Sequence, residues 1–133
     1  MRPLPILAFL FLCACQTNMY GPDVPNALAE NLKLFDDTVR WGNLENMYVF
    51  KKRGEGEEVD VPPGLDNVRV TSYESSPVRR IDEEDPSRYT QTAVIDYVLV
   101  DQQVVRQLVD RQVWESDDDG ETWFLVTPVP VFR

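Results

Sequence analysis

The 133-residue chain contains no histidine, and its only two cysteines, Cys13 and Cys15, lie within the first fifteen residues. Without histidine, the Ser-His and Cys-His catalytic pairs are unavailable and transition metals lose their commonest nitrogen ligand. With no cysteine after Cys15, no disulfide can staple the remainder, which must hold itself with its own core. Positive charge is scarce: 13 Lys and Arg stand against 23 Asp and Glu, for a formal net charge of −10. An acidic chain without a basic stripe neutralises few phosphates, so no nucleic-acid partner is expected. The same charge is repelled by anionic lipid surfaces and favours solubility. Carboxylates, Lys, Tyr and Ser are left to carry any chemistry.

What is present begins at the initiator Met. Arg2 is the only charge before an apolar run of Leu4, Ile6, Leu7, Ala8, Phe9, Leu10, Phe11 and Leu12. That is the layout of an export signal, and it is too short to span a bilayer. The run closes on Leu12-Cys13-Ala14-Cys15, which resembles the lipobox of bacterial lipoproteins, with Leu three positions before a Cys and a small Ala directly before it. Cys13 competes for the role, but bulky Leu12 precedes it, so Cys15 is the expected lipidation site. The alternative is an ordinary secretory signal that leaves Cys15 as a free thiol. The resemblance implies removal of residues 1–14 and three acyl chains on Cys15, an attachment with negligible dissociation. It also implies, from Gln16 in place of Asp at the second position, an outer-membrane location facing the periplasm of a diderm host. The 119 residues that remain suit a single domain and carry a net charge of −11, since only Arg2 is lost.

Residues 15–25, with Gly21, Pro22 and Pro25, read as the lipidated Cys and a tether; the ten residues after Cys15 span at most about 35 Å. Residues 26–133 read as one α+β domain. Leu28, Leu32, Phe35 and Val39 fall on one stripe and predict an amphipathic helix over Asn26–Trp41, broadened by Ala27, Leu34 and Trp41. Asp23 or Asn26 is expected to cap it, and Gly42 to end it in a left-handed conformation. A second, shorter helix is expected from Asn43, with Leu44, Met47, Tyr48 and Phe50, closing on Lys51-Lys52-Arg53. After the loop Gly54–Gly64 the period changes to two. Val68, Val70 and Ser72 alternate with Arg69, Thr71 and Tyr73, and Val78–Ile81 continues that strand beyond Pro77. Tyr89–Val100 is apolar on both faces and predicts a central strand; Val104–Trp114 and Trp123–Val126 complete a curved antiparallel sheet of about four strands.

Helices followed by an antiparallel meander resemble the nuclear transport factor 2-like (cystatin-like) superfamily over roughly residues 26–132. The resemblance implies a helical layer capping a bent sheet, but carries over no catalytic motif.

Ser116-Asp117-Asp118-Asp119-Gly120-Glu121-Thr122-Trp123 matches the Asp-box pattern, Ser-x-Asp-x-Gly-x-Thr-Trp. In sialidases, which it resembles, the box is a hairpin feature remote from catalysis; here a hairpin turn is expected, with Asp118 accepting backbone N–H bonds and Trp123 packed beneath. A calcium-loop alignment fails, because Val126 stands where a bidentate Glu is required.

Asp96, between Ile95 and Tyr97 in the most apolar strand, is expected to pair with Arg106 across the turn. The functional alternative places Asp96 at a pocket mouth with Tyr97, Trp41 and Tyr48 as ligand-binding residues. No catalytic residue, metal ligand or cofactor is assigned. The expected protein is a non-enzymatic envelope lipoprotein that binds a partner protein or a small apolar ligand and meets the membrane through its lipid. The rivals are a small isomerase- or hydrolase-like enzyme using Asp96 as base, and a structural subunit of an envelope assembly. The tail Pro128–Arg133 is expected to cover a sheet edge, or to dock on a partner by strand addition.

Overall fold

A computed structural model describes residues 18–133. Cys15, the leader and the first two tether residues lie outside the described residues. The rest is an α+β fold with one α-helix, α1 (Asn26–Trp41), a 3-10 helix (Leu44–Phe50) and a short 3-10 turn (Leu65–Asn67). They precede an open antiparallel sheet of five strands: β1 (Val68–Ser75), β2 (Arg79–Asp82), β3 (Asp85–Leu99), β4 (Val104–Glu115) and β5 (Phe124–Leu125).

The helix forms where the stripe places it, and Leu28, Leu32, Phe35 and Val39 are all buried. Leu34 and Trp41 do not broaden the stripe. Both are exposed, Trp41 at 77%, because a helix laid flat on a sheet buries only the arc facing it. Neither Asp23 nor Asn26 caps the helix; Pro25 holds the N-cap position without a side-chain bond. Gly42 has φ −91°, so it is not left-handed. Its need is steric, since a Cβ there would lie 3.0 Å from the Thr38 carbonyl oxygen, which accepts the Gly42 N–H. The second helix winds as 3-10 and is capped by Asn43, whose side chain accepts the Glu45 N–H; Lys51–Arg53 lie beyond its end.

Long β3 is the middle of the sheet. β1 and β2 share one side of it end to end, and β4 takes the other. Val78–Ile81 therefore does not prolong β1. After Pro77, residues Arg79–Asp82 form a separate strand at the beginning of β3, which makes five strands where four were expected. A bulge between Val70 and Ser72 inserts Thr71 opposite no partner and inverts the alternation of β1. Tyr73, which simple alternation puts with Arg69 and Thr71, is thereby turned to the face of Val68 and Val70 and buried.

One face of the sheet receives α1, the 3-10 helix and the tail. The rings of Phe35, Phe50 and Trp114 meet edge to face at 5.3, 5.6 and 6.0 Å. The tail adds one backbone bond beyond β5, from Val126 N–H to the Val113 carbonyl. It then leaves the edge and crosses the inner face, where Phe132 packs at 5.0 Å on Tyr97 and the Tyr97 hydroxyl donates to the Arg133 carbonyl. Part of the supposed tether is folded too: Val24 is buried, and Asn18 Nδ2 donates to its carbonyl. The Phe35→Ala variant is expected to lose about 3–5 kcal/mol through a cavity beneath two rings, measured by urea denaturation.

Candidate functional site

Inward-facing positions along β4 run Leu108, Asp110, Gln112 and Trp114, set by pairing with Ile95, Ala93, Gln91 and Tyr89 of β3. Asp110, Gln112 and Gln91 are therefore driven into the interior although they are polar, at 5%, 0% and 3% exposure. The Trp114 indole N–H is a donor only and gives its proton to Gln112 Oε1 at 3.0 Å, which fixes the amide orientation. Gln112 Nε2 then donates to the Tyr73 hydroxyl and to Asp110 Oδ2, each at 2.9 Å. Tyr73 arrives from β1 only because of the bulge, and its hydroxyl reaches across β3 to Gln112 of β4.

Burial pushes the Asp110 carboxyl up to about 6, and the Gln112 N–H only partly offsets this. Burial likewise raises Tyr73 above the ordinary phenol range and Tyr20 to about 12, with Asp36 adding to both. Asp36, on the α1 side of the same layer, is itself raised by burial; its Oδ1 has no hydrogen-bond partner, and Arg40 Nε stands 4.0 Å away. This patch holds a carboxyl whose proton affinity is raised by burial, hydrogen-bonded to an amide that the Trp114 indole orients. Its surroundings are packed by side chains of the inner face.

The residues singled out from sequence do not converge. Asp96 lies on the outer face, where Gln107 Nε2 donates to its Oδ1 at 2.8 Å. Arg106, its expected partner, is opposite Tyr97 and so on the other face. Tyr97 is buried inward, Trp41 is exposed beneath the Arg40 guanidinium at 5.1 Å, and Tyr48 lines a cleft of about 390 Å³ with Lys51, Glu58 and Asp60. The sequence did carry a signal for Asp110, since it is in phase with Trp114: if the indole is core, so are residues 112 and 110.

The Asp-box segment is the expected hairpin turn between β4 and β5. Asp118 Oδ1 accepts from the Thr122 N–H at 2.8 Å and from the Ser116 hydroxyl at 2.9 Å, bonds that hold its carboxyl below the usual carboxylate range. Gly120 adopts φ 86°, and buried Trp123 donates its indole N–H to the Gly120 carbonyl. Asn31 of α1 clamps the turn through the Trp123 carbonyl at 2.7 Å.

No family model, curated protein or solved structure matches the chain.

A carboxyl whose folded pKa lies above its unfolded value near 3.9 binds its proton more tightly when folded. Its contribution to stability is therefore greatest below about pH 4 and is lost as pH rises through about 6. Asp110→Asn keeps the acceptor for Gln112 and removes the charge. In the single chain it is expected to stabilise the fold by roughly 2 kcal/mol at pH 7.5 and to flatten the stability profile between pH 4 and 7, read from thermal melts of dilute, monomeric protein across that range.

Proposed function

We propose that the chain is an envelope lipoprotein, anchored through Cys15, whose domain binds a partner protein on the outer face of its sheet. The observation that carries the binding role is the outer face of β3 and β4. Val94 pairs with Val109 and Val98 with Val105, two apolar pairs that flank the hydrogen-bonded Asp96–Gln107 pair on the same face, with Val105 and Val109 at 75% and 53% exposure. Exposed apolar side chains set around a polar pair on an open sheet face suit a protein partner, which can cover the valines and hydrogen-bond the pair between them. A small apolar ligand is the less favoured occupant. The inner face is filled by α1 and the tail, and a cleft of about 610 Å³ beside it is lined by polar Asp23, Arg79, Arg80 and Glu83 among others.

The lipobox supports the anchor, and the outer-membrane, periplasm-facing location rests on Gln16 after it. Only Gln16 and Thr17 separate Cys15 from Asn18, a reach of about 10 Å. The segment from Asn18 onward packs on the inner side of the sheet, so the short leash turns that side to the bilayer and the valines away from it. The order of helix and then antiparallel sheet supports the nuclear transport factor 2-like resemblance at the level of architecture.

Two measurements test this reading. Metabolic labelling with an alkyne palmitate is expected to mark the wild type and Cys13→Ala, and to be lost with membrane association in Cys15→Ala; an unlabelled wild type overturns the anchor. A photo-crosslinking amino acid at Val98, on the middle strand, is expected to trap one envelope protein in intact cells. Adducts arising equally from Glu45, on the 3-10 helix, would show that the outer face has no special role.

A further inference from the structure

β4 pairs with β3 along its whole length, but with β5 only at Trp114 and Glu115. Val113 exposes the parity of its other edge. Its carbonyl accepts the Val126 N–H and its N–H donates to the Thr127 hydroxyl, both on the side away from β3. Because the pairing with β3 has no bulge, Arg111, Val109, Gln107 and Val105 aim their N–H and C=O groups the same way. Among the described residues these eight groups have no hydrogen-bond partner, and all four residues are exposed. The open edge runs from Val104 to Gln112, and its midpoint is Leu108.

We infer that this edge pairs with the same edge of a second copy, antiparallel about a two-fold axis at Leu108. Three features select this register. It uses the whole open segment of both chains: Val105 faces the partner's Arg111 and Gln107 faces the partner's Val109, giving about eight backbone hydrogen bonds. It sets Arg106 directly opposite the partner's Asp110, twice by symmetry. Among the described residues neither side chain belongs to an ion pair, and Asp110 is a carboxyl buried with one N–H donor. Moving the axis one residue either way puts Asp110 opposite Val104 or Leu108 and removes the charge match. Finally, Leu108, half-buried in one copy, meets its mate on the axis, while Val109 of each copy stands diagonal to Val105 and Val109 of the other on the outer face.

Two five-stranded sheets thus become one of ten strands, a closed assembly that leaves the β4 edge covered. The axis is perpendicular to the sheet, so both N-terminal segments leave from the same side, and one bilayer can hold both anchors. The pairing itself requires neither the lipid nor another partner.

Cysteine scanning of the full 133-residue chain carrying Cys13→Ser and Cys15→Ser tests it, with mild copper-phenanthroline oxidation and denaturing gels. Opposed Cα atoms lie about 4.5 Å apart at the non-hydrogen-bonded Leu108 pair and about 5.5 Å apart at the hydrogen-bonded Val105–Arg111 pair, both within disulfide reach. Leu108→Cys is expected to give a species of twice the chain mass, Val105→Cys none, and the double variant Val105→Cys with Arg111→Cys the doubled species again. Adding Arg106→Glu to Leu108→Cys is expected to lower the yield roughly threefold or more. Equal linking by Val105→Cys alone overturns the register. Failure of the double variant, whose residues are exposed, to link while its circular dichroism stays native overturns the pairing, whatever becomes of lipidation or of the Val98 adducts.

Discussion

Twelve consecutive antiparallel pairs join β3 to β4 without a bulge, and the rest of the molecule depends on that ladder. A strand alternates its side chains with period two, so a slip of one residue would exchange the two faces completely. In the register adopted, Tyr89, Ile95 and Trp114 face the helix while Val94, Val98, Val105 and Val109 face outward. The core, the apolar outer surface and the direction of the free β4 edge follow from this one constraint. The hairpin turn at Val100–Gln103, with Gln103 at φ 52°, closes the ladder at one end. The Asp-box turn, clamped to α1 by Asn31, closes it at the other.

The inner layer is not uniformly apolar, and its polar members are organised to different degrees. Gln112 is satisfied at both ends of its amide and joins β4 to β1 across β3, through Trp114 and Asp110 of its own strand and Tyr73 of β1. Asp110 is held less well, and Asp36 Oδ1 has no hydrogen bond at all. Buried carboxyls in this condition cost stability, and such costs recur at working surfaces and not at random in cores. Asp110 lies on the inner side of the open β4 edge, which gives its retention a physical context.

The C-terminal tail accounts for much of the closure opposite α1. Lys51 Nζ donates to the Val126 and Thr127 carbonyls at 3.1 and 2.8 Å, tying the end of the 3-10 helix to the point where the chain leaves β5. Pro128 and Pro130 lack the N–H groups that would have continued the ladder, so the chain bends inward and buries Val129. Crossing the inner face in this way completes the core on Tyr97 and leaves the β4 edge uncovered.

Much of the architecture was legible in local pattern. Leu28, Leu32, Phe35 and Val39 specify the helix and its buried stripe, the period-two run around Ile95 specifies the central strand, and Ser116–Trp123 specifies a hairpin by its own short-range bonds. These depend on neighbours in the chain. What lay beyond reach was the bulge at Thr71, the independence of β2, the inward path of the tail and the face on which Asp96 would lie. Each depends on which strand stands beside which, and by how many residues it is offset. The pairing that sends Arg106 to one face and Asp96 to the other, and brings Tyr73 of β1 to Gln112 and Asp110 of β4, is a long-range agreement that no single segment encodes. Sequence periodicity determined the elements and their apolar stripes, while only the folded sheet, through register, decided which polar groups would meet.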